Sequence, residues 1–436
     1  MRYILNSLLA RRSHSAALII EIVIVTIIGF IVMEPTAVNT TKALLPAGYD
    51  YDHLAMLKIS YQDQQSEDFD SAYFSTEEYG RSQSHLLNML RDLPEVERAT
   101  FTTSQSFDQS GSATTYLPAD SIYRQGEGEN YLQAYIVNYI ADSDFFGTFG
   151  ITDMTGESIK EPEVNENAYI VSESLAKGRY AGGEIIGRDL YEYDEEDEED
   201  EEDHHTPIVG ITSDVIYRKG LDRTPIAFRQ VTKNGFCDRI TGITVRLAEN
   251  VNPRAFIYKI SNQLSQYRSG NLYLTQPVLY SDMREAAFQD KERELTRNWT
   301  IAVFFLVNVF LGVAGTFYVQ CRSRIPDAGV MRAFGATKRR IELNLMGEAW
   351  SIVFIGWIFG LTIYLIYLKV QGFIFSSDTA PAMRILSPLW YDTPIGRYAM
   401  IGGIVLLLLL LVATLGAWLP ARKVGHVPIV DSLRDE

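Results

Sequence analysis

The sequence predicts a membrane protein with four transmembrane α-helices and a large α+β extracytoplasmic domain inserted between helices 1 and 2. Three observations predict it. Four apolar runs, residues 16–33, 300–319, 350–368 and 400–419, are each close to the roughly 20 residues that cross a bilayer. Lys and Arg gather beside those runs on what the topology makes a single side, the cytoplasmic one by the positive-inside rule. The segment between the first two runs mixes strand and helix patterns and is long enough to fold around its own core.

The overall composition hides this organisation. Mean hydropathy is −0.03 because a polar middle offsets apolar ends, and the formal net charge of −16 comes mostly from acids in the middle. Residues 1–15 carry Arg2, Arg11 and Arg12 and are assigned to the cytoplasm. That basic start followed by an apolar run also fits a signal peptide, but the run is too long and "FIVMEPTAVN" offers no small-residue cleavage site, so it reads as a retained anchor. Within the run, Glu21 is expected to snorkel to the nearby cytoplasmic end or pair with a base there, with a polar pathway as the alternative.

Residues 34–298 form the predicted external domain. β-branched and aromatic content predicts strands over residues 53–61, 132–141, 206–217 and 239–248. Amphipathic spacing predicts helices over 79–93, 172–180 and 252–267, with Ser172 and Asn252 as N-caps. The run "DEEDEEDEEDHH", residues 194–205, repels itself and lacks the glycine of a calcium loop, so it reads as a solvated, disordered loop, with a weak cation sink as the alternative. Two cysteines, Cys237 outside and Cys321 inside, fall on opposite sides of the membrane and cannot pair. The sequence has no GxSxG or HExxH motif, and no catalytic or metal-ligating residue is assigned.

After the second helix comes a cytoplasmic loop, residues 320–349, containing "DAGVMRAFGATKRRIELNLMGEAW". Gly335 is expected to break one short helix, and Thr337 to cap the next. Lys338, Arg339 and Arg340 oppose the helix dipole there. Anionic lipid headgroups explain these charges, but not the small and apolar residues Val330, Ala333, Phe334, Gly335 and Ala336, which read as a docking element for a cytoplasmic partner. Gly356 and Gly360 form a GxxxG in the third helix and predict close helix packing. Residues 369–398 return outside, and residues 420–436 form a cytoplasmic tail with Arg422, Lys423 and Arg434.

The loop "DAGVMRAFGATKRRI", followed by "EAW", Gly356 and Gly360, and the tail "PARKVGHVPIVDSLR" resemble MacB/FtsX-like ABC transporter permeases. The external pieces "LPEVERAT", "DFFGTFGITDMTGES" and "TPIVGITSDV" are similar to the family's MacB-like periplasmic core domain. Departures are Asp327 and Ala328 where the family has Glu-Ile, Met331 where a base is common, and Ser432 in place of Ala. The resemblance implies a non-catalytic permease subunit in the inner membrane whose loop, at Val330, Arg332, Ala333, Phe334, Gly335, Ala336 and Thr337, presses on an ABC ATPase subunit. The chain lacks a GxxxxGK[ST] phosphate loop, so ATP and Mg are expected in that partner chain, with no cofactor here. The resemblance further implies a second permease chain, in a homo- or heterodimer, contact with membrane lipids and a periplasmic or envelope protein, and no nucleic acid. The implied mechanism is mechanotransmission, used for export, lipoprotein release or envelope regulation. A membrane-anchored receptor or scaffold without ATP coupling is the alternative, and an external enzyme on an anchor a more distant one.

Overall fold

The computed structural model describes residues 12–108, 114–118, 131–141, 143–159, 161, 168–179, 185–190, 206–221, 225–231, 238–322, 330–331, 333–371, 390–391 and 394–426. The acidic run 194–205, Cys237 and the end of the tail lie outside the described residues. The chain divides into an inserted domain, Lys42–Lys291, and a helical unit formed by the segments on either side of it.

Helix α1 (Arg12–Ala43) is the first described element and continues past Met33, where its apolar run ends. It passes through Pro35, a residue that removes one backbone donor and crowds the carbonyl four residues back. The hydroxyls of Thr36 and Thr41 turn back onto the helix, donating to the carbonyls of Val32 and Ala37 at 2.6 and 2.9 Å. They therefore continue the helix instead of ending it.

The inserted domain follows in the order β1 (Leu54–Tyr61), α2 (Thr76–Arg91), β2 (Val96–Thr103), β3 (Thr114–Pro118), β4 (Tyr131–Ile140), α3 (Phe145–Phe149), β5 (Tyr169–Ser172), α4 (Glu173–Arg179), β6 (Ile208–Thr212), β7 (Ile226–Val231), β8 (Ile240–Leu247), α5 (Pro253–Gln263), β9 (Arg268–Ser269) and β10 (Leu272–Leu279). One sheet runs β2-β8-β1-β10-β9, with every neighbouring pair antiparallel. The units β1-α2-β2 and β8-α5-β10 interleave in it, which is the split βαβ arrangement of ferredoxin-like folds. The second sheet, β3-β4-β7-β5-β6, is mixed and is inserted between β2 and β8.

Strand alternation divides the core into layers. Ala55, Leu57 and Ile59 of β1 face Leu86, Leu87 and Leu90 of α2 and Phe256 and Ile260 of α5. Leu54 and Met56, on the opposite face of β1, join Val137 and Tyr139 of β4 and Ile226 and Phe228 of β7 around an aromatic cluster. There Phe107 stacks on Tyr49 at 4.6 Å, and Phe145 and Phe149 of α3 meet at 4.6 Å. The other face of the second sheet packs Tyr169, Val171 and Ala227 against Leu175 of α4.

Caps set the helix ends. Asn252 accepts from the N–H groups of Arg254 and Ala255 at 3.0 and 3.2 Å, with Pro253 at the first helical position, as its side chain and position predict. Ser172 is the last residue of β5, and its hydroxyl accepts from Leu175 at 3.4 Å and from Ile226 at 3.0 Å. The run predicted as one strand over 206–217 is a strand only at Ile208–Thr212. Its second half leaves the sheet because Val215, Ile216 and Tyr217 are buried and Ile216 N–H donates to the Ala47 carbonyl at 2.8 Å.

The helical unit is completed by α6 (Tyr280–Arg322), α7 (Lys338–Gln371) and α8 (Pro394–His426). Together with α1, these give four helices long and apolar enough to cross a membrane. Helix α6 starts well before residue 300, but residues 282–297 carry Asp282, Arg284, Glu285, Asp290, Lys291, Glu292, Arg293, Glu294 and Arg297, too many charges for hydrocarbon. Only its later part is suited to crossing.

Close backbone approach organises the bundle. A methyl group at Gly356 of α7 would stand 2.6 Å from Ile22 Cγ2, and one at Gly360 would stand 2.6 Å from Thr26 Cβ, both on α1. Trp357 and Trp350 of α7 donate indole N–H bonds to the Gly402 carbonyl and the Thr414 hydroxyl of α8, at 3.1 and 2.9 Å. Glu21 brings its carboxylate against Gly312 of α6, where a β-carbon would lie 1.9 Å from Oε1. At one end of the bundle the buried Glu34 of α1 pairs with Arg397 Nε of α8 at 2.9 Å and accepts the Tyr364 hydroxyl of α7. Phe30 stacks on the Tyr364 ring at 4.9 Å.

Three outcomes follow from this packing. Burial holds Tyr49, Tyr139 and Tyr217 neutral above the usual tyrosine range, and the Asp108 carboxylate raises Tyr49 further. Their contribution to stability is fully present below about pH 10 and lost as pH rises beyond it; absorbance titration of the full chain should show a class of tyrosines that ionises only with unfolding, and its absence would contradict this core. Gly360→Leu forces a side chain into Thr26 and should cost about 1–3 kcal/mol, visible as earlier thermal aggregation in detergent; a wild-type profile would rule out the close approach. Arg397→Met leaves Glu34 buried without its base and should cost about 3–5 kcal/mol, much of it regained by Glu34→Gln/Arg397→Met; strict additivity in that double-mutant cycle would count against the pair.

Candidate partner-docking site

In the segment between α6 and α7 that reads as a docking element, Val330, Met331 and Ala333 are helical, and Phe334 and Gly335 form the turn that closes it. Ala336 N–H donates to the Met331 carbonyl at 3.0 Å, and Phe334 N–H donates to the Val330 carbonyl at 3.1 Å. Gly335, at φ +87°, is the left-handed residue such a closure needs, and its pro-β space is open. A side chain at 335 would therefore be opposed by backbone conformation alone.

The next helix is capped in turn. Thr337 Oγ1 accepts from Arg340 N–H at 3.4 Å, and the Thr337 carbonyl accepts from Arg340 and Ile341 at 3.0 and 3.3 Å. The capping hydroxyl supplies what the basic first turn of α7 cannot.

The knuckle between these caps has two faces. Its inner face, Met331 and Ala336, packs on Ile341 and Leu345 of α7 and on Ala421 of α8. Its outer face carries Phe334, 87% exposed, and Val330, 45% exposed, flanked by exposed Ala333, Gly335, Thr337, Lys338, Arg339 and Arg340. Arg332 lies outside the described residues. An aromatic ring held almost wholly in the open on a doubly capped turn is the composition of an interface anchor, and the adjacent bases suit an acidic or phosphate-rich surface.

Of the sequence-predicted positions, the structure groups Val330, Ala333, Phe334, Gly335, Ala336 and Thr337 in this knuckle, with Ala336 turned inward. Gly356 and Gly360 lie farther along α7, against α1. Sequence reasoning missed the anchoring role of Ala421, for which a small residue in the basic tail was the only signal. It also missed the Glu34–Tyr364–Arg397 cluster, whose first two members are 330 residues apart. Among the described residues no group of three or more His, Cys, Asp or Glu side chains is placed to hold a metal ion.

No curated protein sequence matches. Solved structures similar to this chain include the periplasmic region of MacB from Actinobacillus actinomycetemcomitans, at 14% identity and TM-score 0.31, covering 56% of this chain and 97% of that one. Another is the extracellular domain of the noncanonic ABC-type transporter YknZ from Gram-positive bacteria, at 9% identity and TM-score 0.28, covering 51% of this chain and 100% of that one. Residues 299–429 match the family model described as FtsX-like permease C-terminal. That stretch holds the apolar part of α6, the knuckle, α7 and all of α8, so the similarity to FtsX-like permeases lies in the helices suited to crossing a membrane.

Proposed function

We propose that this chain is the permease subunit of an ABC complex in which a separate ATPase presses on the 330–337 knuckle and drives work by the inserted domain across the membrane. The observation that carries the reading is the pairing of an exposed Phe334 with a half-buried underside, Met331 and Ala336, seated on both α7 and α8. Close-packed interiors deform little and pass displacement on. A load applied at Phe334 is thus delivered to two membrane helices at once.

In this reading the termini and the knuckle are cytoplasmic, the inserted domain lies outside, and ATP and Mg are bound by the partner. A second permease chain completes the complex, and an envelope protein receives the movement. The apolar contacts of α1, α7 and α8 support transmission of movement through the bundle rather than passage of a polar solute along it.

Phe334→Asp tests the docking surface without disturbing the Gly335 backbone. It should reduce the ATPase recovered with the affinity-purified chain by about tenfold, the scale of losing one central aromatic anchor. Phe334→Asp/Gly335→Asp should in addition uncouple ATP hydrolysis from movement of the inserted domain. Wild-type recovery and wild-type coupling in both variants would reject the docking surface.

A further inference from the structure

Beyond the docking surface, the inserted domain contains a buried charge at the root of α6. Arg284, in the second turn of that helix, places Nη1 3.1 Å from Asp108 Oδ2, with the Arg284 and Asp108 side chains 6% and 0% exposed. Arg284 Nη1 also donates to the Tyr49 hydroxyl at 3.4 Å, and Tyr49 donates to the same Asp108 oxygen. The guanidinium lies over the Tyr51 ring at 4.8 Å. Asp108 is fixed from behind: its N–H donates to the Tyr217 carbonyl at 3.1 Å, and its Oδ1 accepts from Lys219 N–H at 3.1 Å. It holds a left-handed φ of 56°, which is strained for a non-glycine residue and persists only where contacts over-determine it.

The same stretch of chain reaches α6 again. Lys219 pairs with Glu285, and Gly220, at φ +85°, brings its backbone so near Phe288 that a β-carbon would stand 2.6 Å from the ring. Tyr280, Arg284 and Phe288 recur at every fourth residue and so share one helix face. On the other side, Gly48 approaches the Asp214 carbonyl to within 2.2 Å of where its β-carbon would be, and the Ala47 carbonyl accepts from Ile216 at 2.8 Å. Residues 47–51 lie just beyond the end of α1 at Ala43, and Tyr280–Phe288 begin the helix whose later part is suited to crossing a membrane.

We propose that Tyr49, Asp108 and Arg284 form a cross-brace that fastens the segment leaving α1 to the root of α6, so that the two connections between the helical unit and the inserted domain move as one. Three segments far apart in sequence meet on one carboxylate. A buried ion pair adds little net stability over an apolar pair of the same shape, so its contribution here is to fix the relative position of the two segments. These are positioning residues. The proposal deepens the mechanical reading above and rests on it for its purpose, but the brace is measurable without it.

The first measurement is hydrogen exchange on the full chain in nanodiscs, comparing wild type with Asp108→Asn and with Asp108→Leu/Arg284→Met, which removes both charges and guards against misfolding from one orphaned ion. Exchange should rise about tenfold together in residues 44–51 and 280–291 in both variants. A rise confined to the neighbourhood of residue 108, or in only one of the two segments, would overturn the brace. The second uses the complex with its ATPase and spin labels on the inserted domain. The double variant should melt near the wild-type temperature and recover the ATPase normally, yet lose at least half of the ATP-driven distance change; a full change would overturn the brace. If the wild type itself shows no ATP-driven change, the mechanical reading fails, and the paired exchange result alone decides whether the brace exists.

Discussion

Hydrocarbon gives a helix no hydrophobic reason to prefer another helix to lipid, so the bundle depends on how closely its backbones approach. Gly356 and Gly360 supply that approach. They let α7 lie on Ile22 and Thr26 of α1 with no side chain between, and the resulting dispersion contacts replace a driving force that water provides elsewhere. Thr26 fits the contact because its hydroxyl is satisfied inside its own helix, donating to the Ile22 carbonyl at 2.7 Å. With α7 fixed against α1, its tryptophans reach α8, and its first turns present Ile341 and Leu345 as the floor on which the knuckle rests. The exposure of Phe334 is therefore a consequence of a contact farther along the same helix.

The inserted domain solves a different problem with the usual solvent. Its interior is driven by apolar burial on both faces of the first sheet, with helices on one face and aromatic rings on the other. That interior also holds an ion pair, Asp108 with Arg284, where apolar residues of the same shape would be about as stable. Loss of either partner there is far more costly than loss of both. Such asymmetry makes the pair a poor source of stability and a good fastener, because any displacement of α6's first turns must first separate two desolvated charges.

Legibility in the sequence follows the range of the interactions. Local chemistry was readable: Asn252 before Pro253, Gly335 followed by Thr337, and the four-residue spacing of Gly356 and Gly360 each signal their role within a turn or two. Strand β10 was not readable, because "LYLTQPVL" contains Pro277 and puts Gln276 at φ +46°, which breaks the alternation a strand is read from. Nor was the end of the 206–217 run, where burial of Val215 and Tyr217 overrode β propensity. Pairings such as Glu34 with Tyr364, or Asp108 with Arg284, leave no trace in spacing. Each residue alone is an ordinary charge or phenol near the end of an element.

The basic run after the knuckle shows how two demands share one turn. Lys338, Arg339 and Arg340 sit at a helix N-terminus, where the dipole disfavours them, and Thr337 offsets part of that cost by capping Arg340 N–H. In the orientation proposed above, the positive-inside rule accounts for their sign, since the same charges would serve at any helix end on that side. It places no constraint on Gly335, whose pro-β space is empty and whose only structural demand is a left-handed backbone. That demand reverses the chain so that Met331 and Ala336 both face inward, and with the underside filled, Phe334 is directed outward. On that orientation, charge at this loop answers to the membrane and shape to the glycine, which is why an alteration of one need not disturb the other.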